Sequence, residues 1–141
     1  MGQVRRGAVA GAVAAAAWAA GEPALRRLVH TPYSDVRLLG RAVTRGRGWP
    51  AAGLALHLAN GALFGASFAR LGLRGARAGV LAAEAENLVL WLGLLVVDRV
   101  HPDRREGNWP PLTANPRVAA YAIAAHALFG FVLGRLTERP G

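Results

Sequence analysis

The chain has 141 residues, 53% hydrophobic and 18% charged, with a formal net charge of +9. That is one domain's worth of sequence, too apolar for intrinsic disorder and too short for two substantial cores. Cysteine is absent, which excludes disulfides, thiol chemistry and cysteine metal sites and leaves the redox compartment unread.

So basic a chain suggests a nucleic-acid partner until its charges are located. All 17 basic residues are Arg, and none falls in 7–25, 48–69, 78–98 or 118–134. Those gaps are 17 to 22 residues long, close to the roughly 20 that a helix needs to cross hydrocarbon about 30 Å thick. The expected fold is therefore all-α, a single integral membrane four-helix bundle over 1–141, with spans at about 7–28, 50–69, 78–98 and 118–134. Arg side chains frame the spans and meet anionic lipid headgroups. No nucleic-acid partner is expected, because the apolar stretches lack a water-facing side.

The first span is mostly Ala, with Gly7, Gly11 and Ala15 four apart on one face, a spacing that lets another helix approach closely. Arg5 and Arg6 ahead of this core, with small residues around Ala17 to Ala20, also fit a cleaved signal peptide. Against that, apolar character resumes after Glu22-Pro23 and ends only at Arg26-Arg27. In the following loop, Ser34-Asp35 is a helix start, and Val36, Leu39 and Val43 recur at helical spacing opposite Arg37, Arg41 and Arg45. This predicts a short amphipathic interfacial helix over about 34–45, the competing reading being a solvated loop.

Trp49 opens the second span as an interfacial anchor, and Gly61-x-x-x-Gly65 gives it a second close-packing face. The Arg-rich segment 70–77 is short enough to make a hairpin of spans two and three. Span three carries Glu84, Glu86 and Asn87. Two central acids cost roughly 5 kcal/mol on the insertion scale and its Leu, Val and Trp residues return about 4, so it depends on partner helices or on protonation. After it, Asn108-Trp109-Pro110-Pro111 breaks the helix and supplies a second interfacial anchor, Trp109. Gly130-x-x-x-Gly134 marks the last span, and the small-residue faces together offer a route to a homo-oligomer.

Ala62-Leu63-Phe64-Gly65 recurs as Ala127-Leu128-Phe129-Gly130, each followed after four residues by Arg-Leu. Trp18 and Trp91 likewise precede Arg26 and Arg99 by eight residues. Two helical hairpins in a parallel internal repeat would produce this pattern. Both termini then lie with the 70–77 turn, and its compact Arg density together with Arg5-Arg6 places that end in the cytoplasm of a cell-membrane protein.

Polar groups inside the spans are the best pointers to function. His57 and His126 lie about 12 and about 13 Å below the opposite, loop-bearing end. Asn60 shares the face of His57, and Glu84, Asn87 and Trp91 share another. Glu86 points roughly 200° from Glu84, toward a partner, a proton or an Arg of the turn. Glu22 lies nearer the loops, beside Arg26. His57, Asn60, Glu84, Asn87, His126 and Glu22 form a polar stripe that serves either helix assembly or a small solute or proton pathway. No cofactor is predicted outright. The rival class is a redox protein in which His57 and His126 ligate a haem, and the same pair are the candidate metal ligands. No phosphate loop, nucleophile elbow or other catalytic constellation is legible.

Overall fold

A computed structural model of the chain describes residues 2–138. It is all-helical, in the order α1 (Gly2–Leu28), α2 (Asp35–Val43), α3 (Trp49–Arg70), α4 (Ala76–Val100), α5 (Pro102–Arg105) and α6 (Pro116–Thr137). Four of these, α1, α3, α4 and α6, are long and apolar enough to cross a membrane. Their outward residues agree: Leu88 and Leu92 on α4 are 72% and 69% exposed and Leu63 on α3 is 68% exposed, a cost in water that lipid removes.

Helix ends follow local chemistry. Ser34 caps α2 by accepting from the Arg37 amide, and Asn115 caps α6 by accepting from the Arg117 and Val118 amides. Between α3 and α4 the chain reverses through Gly72 and Gly75, both at positive φ, where a side chain would be strained. Gln3 at the start of α1 donates to the Ala69 carbonyl, so the N-terminus and this turn share one end.

The helices pair where glycines bring backbones together. α1 meets α3 with Gly7 and Gly11 against Gly61 and Gly65, and a Cβ at Gly11 would run into the Gly61 carbonyl. α4 meets α6 in the same way, Gly79 against Gly130 and Gly75 against Gly134. Gly65 of α3 and Gly130 of α6 belong to the two Ala-Leu-Phe-Gly copies, so the repeat corresponds to a repeated packing role. These faces, expected to offer a homo-oligomer contact, pack the protomer's own helices.

A further contact joins α1 to α6, so the four long helices follow the order α3, α1, α6, α4. The expected hairpin of α3 and α4 is corrected by this arrangement. The turn joins them, but each pairs along its length with another helix, and a cavity lies between them. α1 and α6 are each flanked on both sides, so cleavage within α1 as a signal peptide would remove one of the two central helices of the bundle. The loop helix α2 seats on α3, with Gly40 against the Trp49 carbonyl and Gly53 against the Val36 carbonyl.

Overpacking a close backbone contact costs about 1–3 kcal/mol. Gly65→Val and Gly130→Val are each expected to lower the unfolding midpoint in detergent by several degrees. Gly93→Ala, where an added Cβ meets nothing within 4 Å, should leave it unchanged or raised, as measured by thermal denaturation of the purified protein.

Candidate functional site

A buried hydrogen-bond chain ties α1 to α6 near the loop end. The Trp18 indole Nε1 donates to the Tyr121 hydroxyl at 3.0 Å, and that hydroxyl donates to Glu22 Oε2 at 2.8 Å. The other Glu22 oxygen accepts from the Ser34 hydroxyl, and the Asp35 amide donates to Oε2 at 3.2 Å. Glu22 therefore accepts from three donors within the fold and is not paired with Arg26, whose Nη2 donates to the Pro32 carbonyl.

The two loops on this end form an ordered cap. Asp103, fully buried, accepts from Arg37 Nε at 2.9 Å and Nη2 at 2.6 Å, and from Asn108 at 2.9 Å. Arg41 stands 3.7 Å from Asp103 and also pairs with Glu106. Burial opposes ionisation of Asp103, but the hydrogen bonds of Arg37 and Asn108 and the charges of Arg37 and Arg41 outweigh it and hold the carboxyl below its ordinary range. His101 Nδ1 accepts from the Asp103 amide, leaving Nε2–H to donate to the Leu38 carbonyl at 3.1 Å. The imidazole stacks on Trp109 with rings 7° apart, and Trp109 Nε1 donates to the Pro32 carbonyl. Asp98, at the end of α4, receives the Leu112 and Thr113 amides and Arg104.

Trp109, expected among the headgroups as an interfacial anchor, is corrected by this cap. It is 2% exposed, held between His101 and Tyr33. Trp49 is partly exposed, with the Arg37 guanidinium 5.7 Å from its ring centre.

Below the cap lies a cavity of about 300 Å³ between α3 and α4, backed by α1 and α6. Most of its wall is apolar. The polar lining groups are Tyr33, Asp35, His57, Asn60, Glu86, Asn87 and His126, and no Arg is among the described lining residues. Asn60, Leu90 and Gly93 line it and are exposed, so it opens sideways between the two helices. Two buried atoms on this wall have no hydrogen-bond partner among the described residues: His57 Nε2 and Asp35 Oδ2. Asp35 Oδ1 takes the Tyr33 hydroxyl at 2.8 Å. Burial, opposed by the Tyr33 hydroxyl and reinforced by Glu22, pushes the Asp35 carboxyl up to about 6.

The polar stripe read from the sequence thus divides. His57, Asn60, Asn87 and His126 line the cavity together, Glu22 belongs to the α1–α6 link, and Glu84 lies outside the cavity, bonded by Asn87 at 3.1 Å with its Oε1 buried and unpartnered. Glu86, expected to face away from the stripe, is instead on the cavity wall, because the α4 face that meets the opening runs through Glu86, Leu90, Gly93 and Val97. It makes no ion pair with an Arg of the turn among the described residues.

His57 and His126 do meet, but across a tryptophan. The Trp18 ring packs edge-on against both, with centroids 4.9 Å and 4.7 Å away. A haem ligated on both faces needs a flat gap between the two imidazoles. Trp18 stands against both rings, and His126 Nδ1 is bonded to the Ala122 carbonyl, so these residues do not fit the group. Among the described residues no three His, Asp or Glu converge as a metal site.

Asp35, Tyr33, Trp18 and Tyr121 were not in the stripe. Asp35 registers in the sequence only as a helix start, and its place on the cavity wall follows from how α2 seats on α3. Compared with known protein families, curated proteins and solved structures, the chain matches none.

Removing one buried donor strands its partners at a cost of about 1–3 kcal/mol. Tyr121→Phe should therefore lower stability by that amount in chemical denaturation, since it leaves the Trp18 N–H unpaired and Glu22 short of a donor. A carboxyl whose folded pKa is depressed stabilises the fold above its unfolded value, near 3.9, and loses that contribution as pH falls through the folded value. The cap is accordingly expected to loosen below about pH 4, read as a change in Trp109 fluorescence. In Asp103→Asn that Asp103-linked transition should be missing.

Proposed function

We propose that this is a multi-pass membrane protein that binds a small, mostly apolar solute with a polar end in the α3–α4 cavity. What carries the reading is the pair of unpartnered buried atoms, His57 Nε2 and Asp35 Oδ2, on an otherwise apolar wall. Buried polar atoms cost about 1–3 kcal/mol when unpaired, so a partner there is stabilising. At about 300 Å³ the space is at the lower end of small-molecule sites.

Helix assembly accounts poorly for the same residues. Interhelical side-chain bonds inside the bundle run through Trp18, Tyr121 and Glu22, whereas His126 bonds within its own helix and Asn87 bonds to Glu84 of its own helix. We further infer a cell membrane location with the 70–77 end in the cytoplasm, Arg5, Arg6, Arg70, Arg74 and Arg77 meeting anionic headgroups there.

The chain lacks cysteine, so single cysteines report cleanly. Asn60→Cys and Leu90→Cys, in the cavity, should react with a small neutral methanethiosulfonate reagent at least tenfold faster than Leu63→Cys and Leu88→Cys, which face outward. Equal, slow labelling at all four positions rules the cavity out as a solute site.

A further inference from the structure

We propose that the cavity is selective for slender amphiphilic cations, organic ammonium compounds with one ring or a short alkyl tail, and that Glu86 is the counter-charge. This rests on the binding cavity inferred above and names its ligand class.

The charge of the wall is opposite to that of the chain. The protein carries a net +9, all its basic side chains being Arg, yet among the described residues no Arg lines the cavity while two acids, Asp35 and Glu86, do. An anion would find no guanidinium there and would meet two carboxylates. A neutral apolar molecule would fill the space but leave Glu86 without a counter-charge in a low-dielectric wall, which is costly. A cation with an apolar body answers both requirements.

The two acids are not equivalent. Asp35 already takes the Tyr33 hydroxyl on one oxygen. Glu86 has no hydrogen bond and no ion pair among the described residues and is only partly exposed, so its charge is the less compensated of the two. His57, itself 6% exposed, adds an unpartnered Nε2 on the same wall. Trp18, Trp91 and Phe129 complete the lining, and aromatic rings are suited to a positively charged nitrogen.

Shape narrows the ligand further. Along α4 the lining runs from Glu86 to Val97, about 16 Å at the helical rise per residue. A volume of about 300 Å³ spread over that length is a slot and not a sphere. Its deep end carries Glu86 and Asn87, its middle Leu90 and Leu94, and its loop end the α2 cap with Asp35, Leu38 and Leu39. The charged nitrogen belongs at the deep end and the apolar tail along the leucines, with access from the bilayer through the side opening.

Three probes of matched size test this on the full chain in an uncharged maltoside detergent: benzyltrimethylammonium, its neutral isostere neopentylbenzene, and benzenesulfonate. Binding is read from the fluorescence of Trp18 and Trp91. The cation is expected to bind at least tenfold more tightly than the isostere, with no binding of the sulfonate. Glu86→Gln should lose at least tenfold in cation affinity and Glu86→Asp should keep most of it, the isostere being indifferent to both. Isostere or sulfonate binding as tightly as the cation overturns the proposal, as does undiminished cation affinity in Glu86→Gln. Should Glu86→Gln not fold, the wild-type comparison of the three probes decides. Cation selectivity that fails while Asn60→Cys and Leu90→Cys still label rapidly overturns the ligand class and leaves the cavity standing. Failure of both overturns the cavity as well.

Discussion

Between helices in hydrocarbon there is little hydrophobic attraction, because lipid tails are as apolar as leucine. What remains is close van der Waals packing, and here it is concentrated in glycine seams. Gly7 and Gly11 against Gly61 and Gly65, and Gly75 and Gly79 against Gly130 and Gly134, allow backbone to touch backbone. Each seam binds a pair of helices that the chain does not join directly by its shortest turn. Because α3 is committed to α1 and α4 to α6, the tightly linked α3 and α4 are left apart. The cavity is thus a consequence of where the glycines are.

The loop end completes what the seams begin. Glu22 collects Tyr121 from α6, Ser34 and the Asp35 amide from the start of α2, and so fastens the α1–α6 junction to the cap. Asp103 does the corresponding work between the two loops, drawing Arg37 and Asn108 onto one buried carboxylate. Within these two networks Arg41 keeps one buried atom, Nε, without a hydrogen bond among the described residues. Elsewhere His57, Asp35 and Glu86 turn polar groups to the cavity, whereas the unpartnered Oε1 of Glu84 lies outside it, so the first three are the informative residues for binding.

Charge is distributed by the same logic. Arginines occupy helix ends and loops, where several pair with the acids of the cap. Acids are either consumed by such pairs, as Asp98, Asp103 and Glu106 are, or turned inward. A strongly basic protein consequently holds an acidic interior wall, and the net charge of the chain says nothing about the charge of its cavity.

The sequence by itself determined the number of long helices and their approximate limits, because Arg and hydrocarbon exclude each other over a fixed length, and that rule acts locally. It determined the small-residue faces and the Ser34 helix start for the same reason, spacing along one helix being readable from composition. It also placed His57 and His126 at one depth, since helical rise is constant. The pairing of α1 with α3 and of α4 with α6 was legible as two repeated helical hairpins; that α3 and α4, joined by the shortest turn, stand apart along their lengths and leave polar faces converging between them was decided only by tertiary structure. Trp109 went from the headgroups to the cap because His101, Tyr33 and Pro32 come to it from other segments. Glu86 went from the outer face to the cavity wall because rotation of α4 about its axis is set by Gly79 meeting Gly130, a contact that no pattern within α4 specifies.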